Sequence, residues 1–118
     1  AWSIMSPVIK NIKYKFNRPR PYQLASIYNI EINAIMTKTH RTPSYPSGHT
    51  AYAALGAYIL SAKYPKYSSD FFSKVSLAGM ARMLQGVHYP SDNEAAMIIS
   101  GAIWEDIRYS LFPELKNF

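Results

Sequence analysis

The sequence contains no cysteine among its 118 residues, and it is poor in acidic residues. The absence of thiols excludes disulfide bonds, cysteine-based metal sites and thiol nucleophiles, and it leaves the redox compartment undetermined. The chain has 7 Asp and Glu against 13 Lys and Arg, a balance that favours an anionic partner. Charge alone does not choose among a nucleic acid, a membrane surface and a phosphorylated small molecule, and many of the lysines also fit an ordinary solvated surface.

Two kinds of long run are also missing. No stretch of Lys and Arg is long enough for a nucleic-acid-binding arm, although 10 tyrosines could stack on bases. The apolar segments 50–62 and 95–103 are shorter than the roughly 20 residues of a membrane span, and charged residues follow both. We therefore expect a soluble protein of undetermined compartment, with neither nucleic acid nor a membrane as its partner and with a homo-oligomer left open. The chain opens on Ala1 with no initiator Met and no visible secretory signal, as a segment cut from a longer protein would.

Apolar periodicity and turn residues predict an all-α bundle that forms a single domain over residues 1–118. The predicted helices run from Ser6-Pro7 to Asn17, from Ser47 to about residue 62, from Ser69 or Asp70 to Gly86, and from Pro90 to Pro113, with a short helix within 22–35. The predicted buried sides include Ile9, Ile12 and Phe16 in the first helix, Tyr52, Ala57 and Leu60 in the second, and Ile98, Ile99 and Ile103 in the last. Residues 36–45, which contain His40 and Arg41, are predicted to form a loop.

A proline-punctuated loop from Thr42 to Pro46 leads into the helix that is predicted to begin at Ser47. Ser47 is a good N-cap, and Gly48 lets a ligand approach the backbone closely. The free N–H groups of the first helical turn carry the positive end of the helix dipole, so they favour a bound anion. His49 would then stand beside that anion. Taken alone, the same residues also fit an ordinary helix cap.

A second stretch, from Arg82 to Asp92, combines a cation, an imidazole and a carboxylate. Asp92 follows His88 by four residues across a turn, so its carboxylate can reach one ring nitrogen and fix the tautomer. The other ring nitrogen is then left as a nucleophile or base. Arg82 adds a guanidinium that can clamp two oxygens of a tetrahedral anion. Taken alone, His88 and Asp92 also fit a capping arrangement at a helix start.

Lys13 and Arg20 lie on either side of the junction where the first helix gives way to a proline-rich extended segment, so both side chains could converge on one point. Together with the two stretches above, they supply three fixed cations, an anion-binding helix start, two imidazoles and a carboxylate. That set suits phosphoryl transfer without a metal. Cations neutralise the phosphoryl oxygens, one histidine attacks, and the other protonates the leaving oxygen.

The spacing of these residues resembles the three motifs of the type 2 phosphatidic acid phosphatase superfamily. That superfamily also holds bacterial non-specific acid phosphatases and vanadium-dependent haloperoxidases. Its motifs Lys-x6-Arg-Pro, Pro-Ser-Gly-His and Ser-Arg-x5-His-x3-Asp are matched here by Lys13 to Arg20-Pro21, Pro46 to His49, and Ala81-Arg82 to His88 and Asp92. The departure is Ala81, where the family usually has Ser, and it removes one possible hydroxyl contact to the anion.

The resemblance implies an all-α catalytic bundle and a role for each matched residue. His88 would be the nucleophile that forms a phosphohistidine, oriented by Asp92, and His49 would be the general acid and then the base for water. The phosphoryl oxygens would be bound by Lys13, Arg20, Ser47, Gly48 and Arg82. The family normally has helices before the Lys motif, whereas 12 residues precede it here, so the bundle is either reduced or part of a longer chain.

The function expected from the resemblance is metal-independent hydrolysis of phosphate monoesters, with a small phosphorylated substrate and no cofactor. A vanadate-dependent haloperoxidase is the rival within the same family, because vanadate would occupy the phosphate site and His88 would coordinate vanadium. The motifs do not separate these two chemistries. A non-catalytic module that binds an anion or nucleic acid is a further alternative, and a membrane lipid phosphatase would require spanning segments before Ala1.

Overall fold

The computed structural model describes residues 1–35 and 41–117, and over that range it consists of helices joined by loops. Its α-helices in chain order are α1 (Trp2–Phe16), α2 (Pro21–Ile27), α3 (Gly48–Lys63), α4 (Ser68–Leu84) and α5 (Pro90–Leu111). Short 3₁₀ helices at Pro65–Tyr67 and Pro113–Asn117 follow α3 and α5. The described part contains no β-strand, and the all-α prediction is confirmed. Met36 to His40, which belong to the predicted loop, lie outside the described residues.

Helix α3 is the centre of the bundle, because α4 and α5 both pack along it. Ala51 and Ala54 on α3 are fully buried, and their small size lets the neighbouring helices approach closely. Leu55 is fully buried as well, and burial of a side chain of that size stabilises a fold by about 2 kcal/mol. The hydroxyl of Ser100 on α5 donates to the carbonyl of Ala51 at 2.8 Å, so a polar contact also joins these two helices.

Hydrogen bonds join three helices beside the N-terminal end of α3. The hydroxyl of Thr50 donates to the side-chain oxygen of Asn93 on α5 at 2.8 Å. The side-chain amide of Asn93 donates in turn to the carbonyl of Gly79 on α4 at 3.1 Å. Thr50 and Gly79 are buried, and such polar groups are stable inside a protein when they are hydrogen-bonded. The start of α3 is thereby fixed against α4 and α5.

Helix α1 ends where the sequence predicts. Asn17 takes a left-handed conformation with a φ of 48°, and its N–H donates to the carbonyl of Lys13 at 2.8 Å. Pro19 follows two residues later and cannot continue a helix. The buried stripe of α1 repeats at every fourth residue and consists of Met5, Ile9 and Lys13. The Lys13 side chain is therefore on the inward face of this helix.

The loop between α4 and α5 turns at Gly86, which has a φ of +74°. A Cβ atom at this position would lie 2.5 Å from the Cγ2 atom of Ile32, so both the backbone conformation and the space favour glycine. The carbonyl of Gly86 accepts the N–H of Tyr22 on α2 at 3.2 Å. The turn thereby brings Val87 and His88 against Arg20, which is the N-cap residue of α2.

One predicted helix start and several predicted buried positions are wrong. Helix α1 begins at Trp2 and runs through Pro7 rather than starting there, and Phe16 at its end is 61% exposed. Leu60 on α3 and Ile98 on α5 are 42% and 74% exposed. Apolar residues occur around much of each helix, so the position of the neighbouring helices decides which side is buried.

Candidate active site

Residues from all three motif regions line one cavity between α1 and α3, with a volume of about 570 Å³, a size typical of small-molecule sites. One face of α1 contributes Ser6, Ile9, Lys10, Lys13 and Tyr14. The first turns of α3 contribute Gly48, His49 and Tyr52. The remaining lining residues are Arg20, Thr42, Arg82 and His88. The cavity therefore brings together most of the residues predicted for the site: Lys13, Arg20, Gly48, His49, Arg82 and His88.

The imidazole of His88 is held by Asp92, which lies one helical turn further along. The Nδ1 atom of His88 lies 3.0 Å from Oδ2 of Asp92. The same carboxylate oxygen accepts the backbone N–H of Tyr89 at 2.8 Å and the hydroxyl of Ser44. Because an ionised carboxylate only accepts hydrogen bonds, this contact places the proton of neutral His88 on Nδ1 and leaves a lone pair on Nε2.

The Nε2 atom of His88 lies beside the guanidinium of Arg20. Nη1 of Arg20 is 3.0 Å from Nε2 and also donates to the carbonyl of Val87 at 3.0 Å. Burial lowers the pKa of His88 from 6.5 to about 4; the hydrogen bond to Asp92 opposes this change, and the positive charges of Arg20 and Lys13 add to it. His88 is therefore neutral above about pH 4, the state in which Nε2 can act as a nucleophile.

Asp92 is ionised although it is fully buried. Burial by itself raises the pKa of this carboxyl, but the hydrogen bonds from His88, Ser44 and the N–H of Tyr89 outweigh that effect and hold the pKa below its ordinary value. The other carboxylate oxygen, Oδ1, accepts a hydrogen bond from Nη1 of Arg18 at 2.8 Å. Arg18 lies between α1 and α2, and sequence reasoning did not place it in the site.

Arg20 and Lys13 are buried cations that backbone carbonyls of the loop before α3 hold in place. Arg20 is 1% exposed, and its guanidinium donates to the carbonyl of Thr42 at 2.9 Å and to the Thr42 hydroxyl at 3.2 Å. The Nζ atom of Lys13 donates to the carbonyl of Pro43 at 2.7 Å. Burial, followed by the charge of Arg20, lowers the pKa of Lys13 from 10.5 to about 8. Both cations are therefore held close together in a poorly hydrated place.

Arg82 extends the positive lining from α4. Its Nη1 atom donates to the side-chain oxygen of Gln85 at 2.9 Å, and burial lowers the pKa of its guanidinium. The described residues that line the cavity include the cations Lys10, Lys13, Arg20 and Arg82 and no carboxylate. An anion is the ligand that such a lining attracts.

The first turn of α3 lies against the start of α5. The hydroxyl of Ser47 accepts the N–H of Thr50 at 3.3 Å and donates to the Thr50 hydroxyl at 3.2 Å, so it caps the helix as predicted. The N–H of Ser47 donates to the carbonyl of Asp92 at 3.1 Å. Ser47 is fully buried and is not among the cavity-lining residues, whereas Gly48 and His49 are. A phosphate contact by the Ser47 hydroxyl stays a prediction.

His49 lies at the exposed edge of the cavity. Partial burial lowers the pKa of its imidazole, and the positive charges of Arg82, Arg20 and Lys13 lower it further. A negatively charged ligand between these cations would offset their repulsion and restore the protonated form of His49. The protonation state of this histidine is therefore coupled to occupation of the cavity.

Sequence reasoning missed Arg18, Ser44 and the tyrosines of the cavity wall. Arg18 and Ser44 contact Asp92 across 74 and 48 residues of sequence, and no local spacing links them to it. Tyr52 follows Gly48 by one helical turn, and that spacing could have placed it in the cavity. Arg41 lines a separate cavity of about 380 Å³, and His40 lies outside the described residues.

Neither a metal-binding cluster nor a membrane-spanning helix occurs in the part of the chain that the structure describes. Within residues 1–35 and 41–117, no group of three or more His, Asp and Glu side chains is placed to share a metal ion. No helix in these ranges combines the length and the apolar character needed to cross a bilayer.

The fold and the cavity together define an all-α protein with an anion-binding site that carries two histidines. Comparison with protein families narrows this class, because the model of the PAP2 superfamily matches residues 2–112. The chain belongs to the PAP2 superfamily. The family resemblance that the three motifs predict is thereby confirmed.

Curated relatives of the chain carry the name non-specific acid phosphatase. The one from Providencia stuartii is 32% identical over 95 residues, which cover 80% of this chain and 38% of the relative. The one from Salmonella typhi is 38% identical over 74 residues, which cover 63% of this chain and 29% of the relative. The chain therefore matches less than two fifths of the length of these relatives.

Proposed function

We propose that the chain is a single catalytic domain that hydrolyses phosphate monoesters through a phosphohistidine on His88 and without a metal ion. The observation that carries this proposal is the position of Nε2 of His88 in a cation-lined cavity while Nδ1 is held by Asp92. Membership of the PAP2 superfamily supports it, and so does the acid phosphatase name of the relatives. The neutral state of His88 above about pH 4 also suits a nucleophile that works in mildly acidic solution.

The first step transfers the phosphoryl group to the protein. Nε2 of His88 attacks phosphorus with its lone pair, and the bond from phosphorus to the ester oxygen breaks. His49 donates its proton to that oxygen, so the alcohol leaves in neutral form. A dianionic substrate favours the protonated state of His49, because it offsets the surrounding positive charge.

The second step releases inorganic phosphate. His49, now neutral, takes a proton from a water molecule, and the water oxygen attacks the phosphorus of the phosphohistidine. The bond from phosphorus to Nε2 breaks, and its electron pair returns to His88. Asp92 accepts the hydrogen bond from Nδ1–H throughout, so the imidazole keeps its orientation while Nε2 gains and loses the phosphoryl group.

The cations stabilise the charge on the phosphoryl oxygens in both steps. Lys13, Arg20 and Arg82 line the cavity with their charges, and the N–H of Gly48 lies at the positive end of α3. Arg20 would exchange its contact with Nε2 of His88 for a phosphoryl oxygen when the substrate binds. The Ser47 hydroxyl, which now bonds to Thr50, would need to turn to reach the same group.

The test is release of nitrophenol from p-nitrophenyl phosphate by the purified protein, with and without EDTA, combined with acid-sensitive labelling of the protein by phosphate. We expect turnover that survives the chelator and an acid-labile phosphoprotein in quenched samples. The His88→Ala variant should lose both but should still be stabilised by inorganic phosphate, because the cations remain.

The matched control is Lys15→Met, which removes an exposed cation of α1 that does not line the cavity. It should keep normal turnover. Full activity in His88→Ala would contradict the proposed mechanism, and loss of activity in EDTA would contradict metal independence. Phosphate binding without turnover in the wild type would favour an anion-binding module, and halide oxidation with vanadate and peroxide would favour a haloperoxidase.

A further inference from the structure

We propose that Arg18 is a positioning residue for the nucleophile: it fixes the Asp92 carboxylate and thereby sets the orientation and the acidity of His88. This inference rests on the proposed function for its catalytic consequence. Its structural part concerns Arg18, Asp92 and His88 alone, and it can be measured without turnover. Arg18 does not line the cavity and is not one of the three cations placed around the phosphate.

The Asp92 carboxylate is held on both of its oxygens. Oδ2 takes the contacts from the imidazole of His88, the hydroxyl of Ser44 and the N–H of Tyr89. Oδ1 accepts a charge-assisted hydrogen bond from Nη1 of Arg18 at 2.8 Å. Charge-assisted bonds of this kind are about twice as strong as neutral ones. Without Arg18, rotation of the carboxylate would be opposed from the Oδ2 side alone by these contacts.

Arg18 is itself held in a defined position. Its Nη1 atom also donates to the hydroxyl of Ser91 at 2.7 Å. Its guanidinium lies 4.6 Å from the ring centre of Tyr45 and 5.5 Å from that of Tyr89, distances at which cation–π attraction contributes. These contacts preorganise the guanidinium against Asp92, which is more than a mobile surface arginine would do.

The backbone of Arg18 supports the same carboxylate by a second route. The carbonyl of Arg18 accepts the N–H of Ser44 at 2.9 Å, and the hydroxyl of Ser44 donates to Oδ2 of Asp92. Arg18 therefore acts on one carboxylate oxygen through its side chain and on the other through Ser44. One residue between the first two helices thereby connects the loop before α3 to the start of α5.

The charge of Arg18 should also affect the acidity of His88. The charged or titratable groups that face His88 come from every packed element: Lys13, Arg20, His49, Arg82 and Asp92. Arg18 neutralises the Asp92 charge from the far side of the carboxylate. Removing it leaves more negative charge beside His88, which favours the protonated imidazole and raises its pKa by about one unit.

The experiment compares Arg18→Met and Arg18→Lys by two measurements. The first is the pH profile of kcat/KM with p-nitrophenyl phosphate, whose acid limb includes the proton that must leave His88. The second is a titration of the protein labelled with ¹⁵N-histidine, in which His88 is assigned from the spectrum of a His88→Gln variant. The nitrogen shifts report both its tautomer and its pKa.

In Arg18→Met, we expect the acid limb and the pKa of His88 to rise together by about one pH unit. We also expect kcat to fall about tenfold with little change in KM, since Arg18 does not line the cavity. Arg18→Lys should restore the limb in large part, because the ammonium returns the charge without the planar guanidinium. Ionisation of the substrate is common to all variants and cancels in the comparison.

Arg108→Gln is the matched control. Arg108 forms an ion pair with Glu105 at 3.1 Å, and its side chain is 32% exposed, close to the 35% of Arg18. It should leave the profile and the titration unchanged. An Arg18→Met protein that melts earlier but keeps the wild-type acid limb and His88 titration would overturn the proposal, since Arg18 would then be structural alone. If Arg18→Met does not fold, Arg18→Gln supplies the same comparison.

The two proposals can fail separately. If the wild type has no turnover but the His88 pKa rises in Arg18→Met, the positioning role stands and the proposed function fails. If the wild type turns over normally and neither readout moves in the variant, the positioning role fails and the proposed function stands.

Discussion

Replacing Lys13 by Met is expected to stabilise the ligand-free protein while weakening its response to phosphate. Lys13 is 8% exposed, and it lies near Arg20 and Arg82 in the lining of the cavity. Burial and this positive charge lower its pKa from 10.5 to about 8. A cation held in such a place is favourable for an anion and unfavourable for the fold.

The size of the effect follows from the change in pKa. The fall from 10.5 to about 8 means that protonated Lys13 costs about 3 kcal/mol of stability at neutral pH. Methionine removes that cost but loses the bond to the Pro43 carbonyl, worth about 1 kcal/mol, and leaves that carbonyl to find water. We expect a net gain of about 1 to 2 kcal/mol, or a rise in Tm of about 5 °C.

The sign depends on pH in a defined way. Because the pKa is lower in the folded state, the cost is complete below about pH 8 and fades as the pH rises toward 10.5. The advantage of Lys13→Met should therefore shrink between these two values. Phosphate, in contrast, should stabilise the wild type more than the variant, because loss of a charge-assisted contact weakens anion binding about tenfold or more.

The assay is unfolding by urea or heat, followed by circular dichroism at pH 7 in a buffer free of phosphate and then with added phosphate. Lys15→Met serves as the control, since it removes an exposed lysine from the same helix. The reasoning is refuted if Lys13→Met is less stable than the wild type without phosphate. It is also refuted if the variant keeps the full stabilisation by phosphate.

Three further predictions concern single residues. His49→Gln should slow an alkyl phosphate by about 100-fold or more but p-nitrophenyl phosphate much less, because nitrophenolate leaves without a proton; equal losses in kcat/KM would contradict the general-acid role. The pKa of His88 is about 4 in the folded state and 6.5 in the reference state, so the unfolded chain takes up the proton first as the pH falls through this window. The free energy of unfolding should therefore drop by up to about 3 kcal/mol between these values, and denaturation at several pH values should show a smaller drop in His88→Gln. Gly86→Ala should cost about 2 kcal/mol, because it forces alanine into a φ of +74° and against Ile32; an unchanged Tm would show that the loop relaxes freely.

The parts of the site that depend on near neighbours in the chain are predictable from sequence. Ser47 caps α3 and Asn17 ends α1, because cap chemistry depends on a few adjacent residues. Asp92 reaches His88 because a four-residue offset across a helix start fixes their separation. The three motifs then predict the family, and through it the convergence of Lys13 and Arg20 with residues far along the chain.

The rotation of each helix and the long-range contacts are not predictable in the same way. Ile98 belongs to an apolar spacing as regular as that of Ile103, yet it is exposed because α3 packs against the other side of α5. Arg18 and Arg20 flank a single proline, and nothing in their spacing says which one faces the cavity. The fold decides, since Arg20 meets His88 while Arg18 meets the carboxylate behind it.

Asp92 links the two histidines through its side chain and its main chain. Its carboxylate holds His88, and its carbonyl accepts the N–H of Ser47, which begins the helix that carries His49. Since both bonds come from one residue at the start of α5, a small shift of that helix start would carry the nucleophile and the proposed acid together. The bond between Asn93 and Thr50 reinforces the same register of α5 on α3. The relation between the two histidines is therefore built into the contact of α3 with α5, whereas α1 adds a cation and a wall to a pair that is already set.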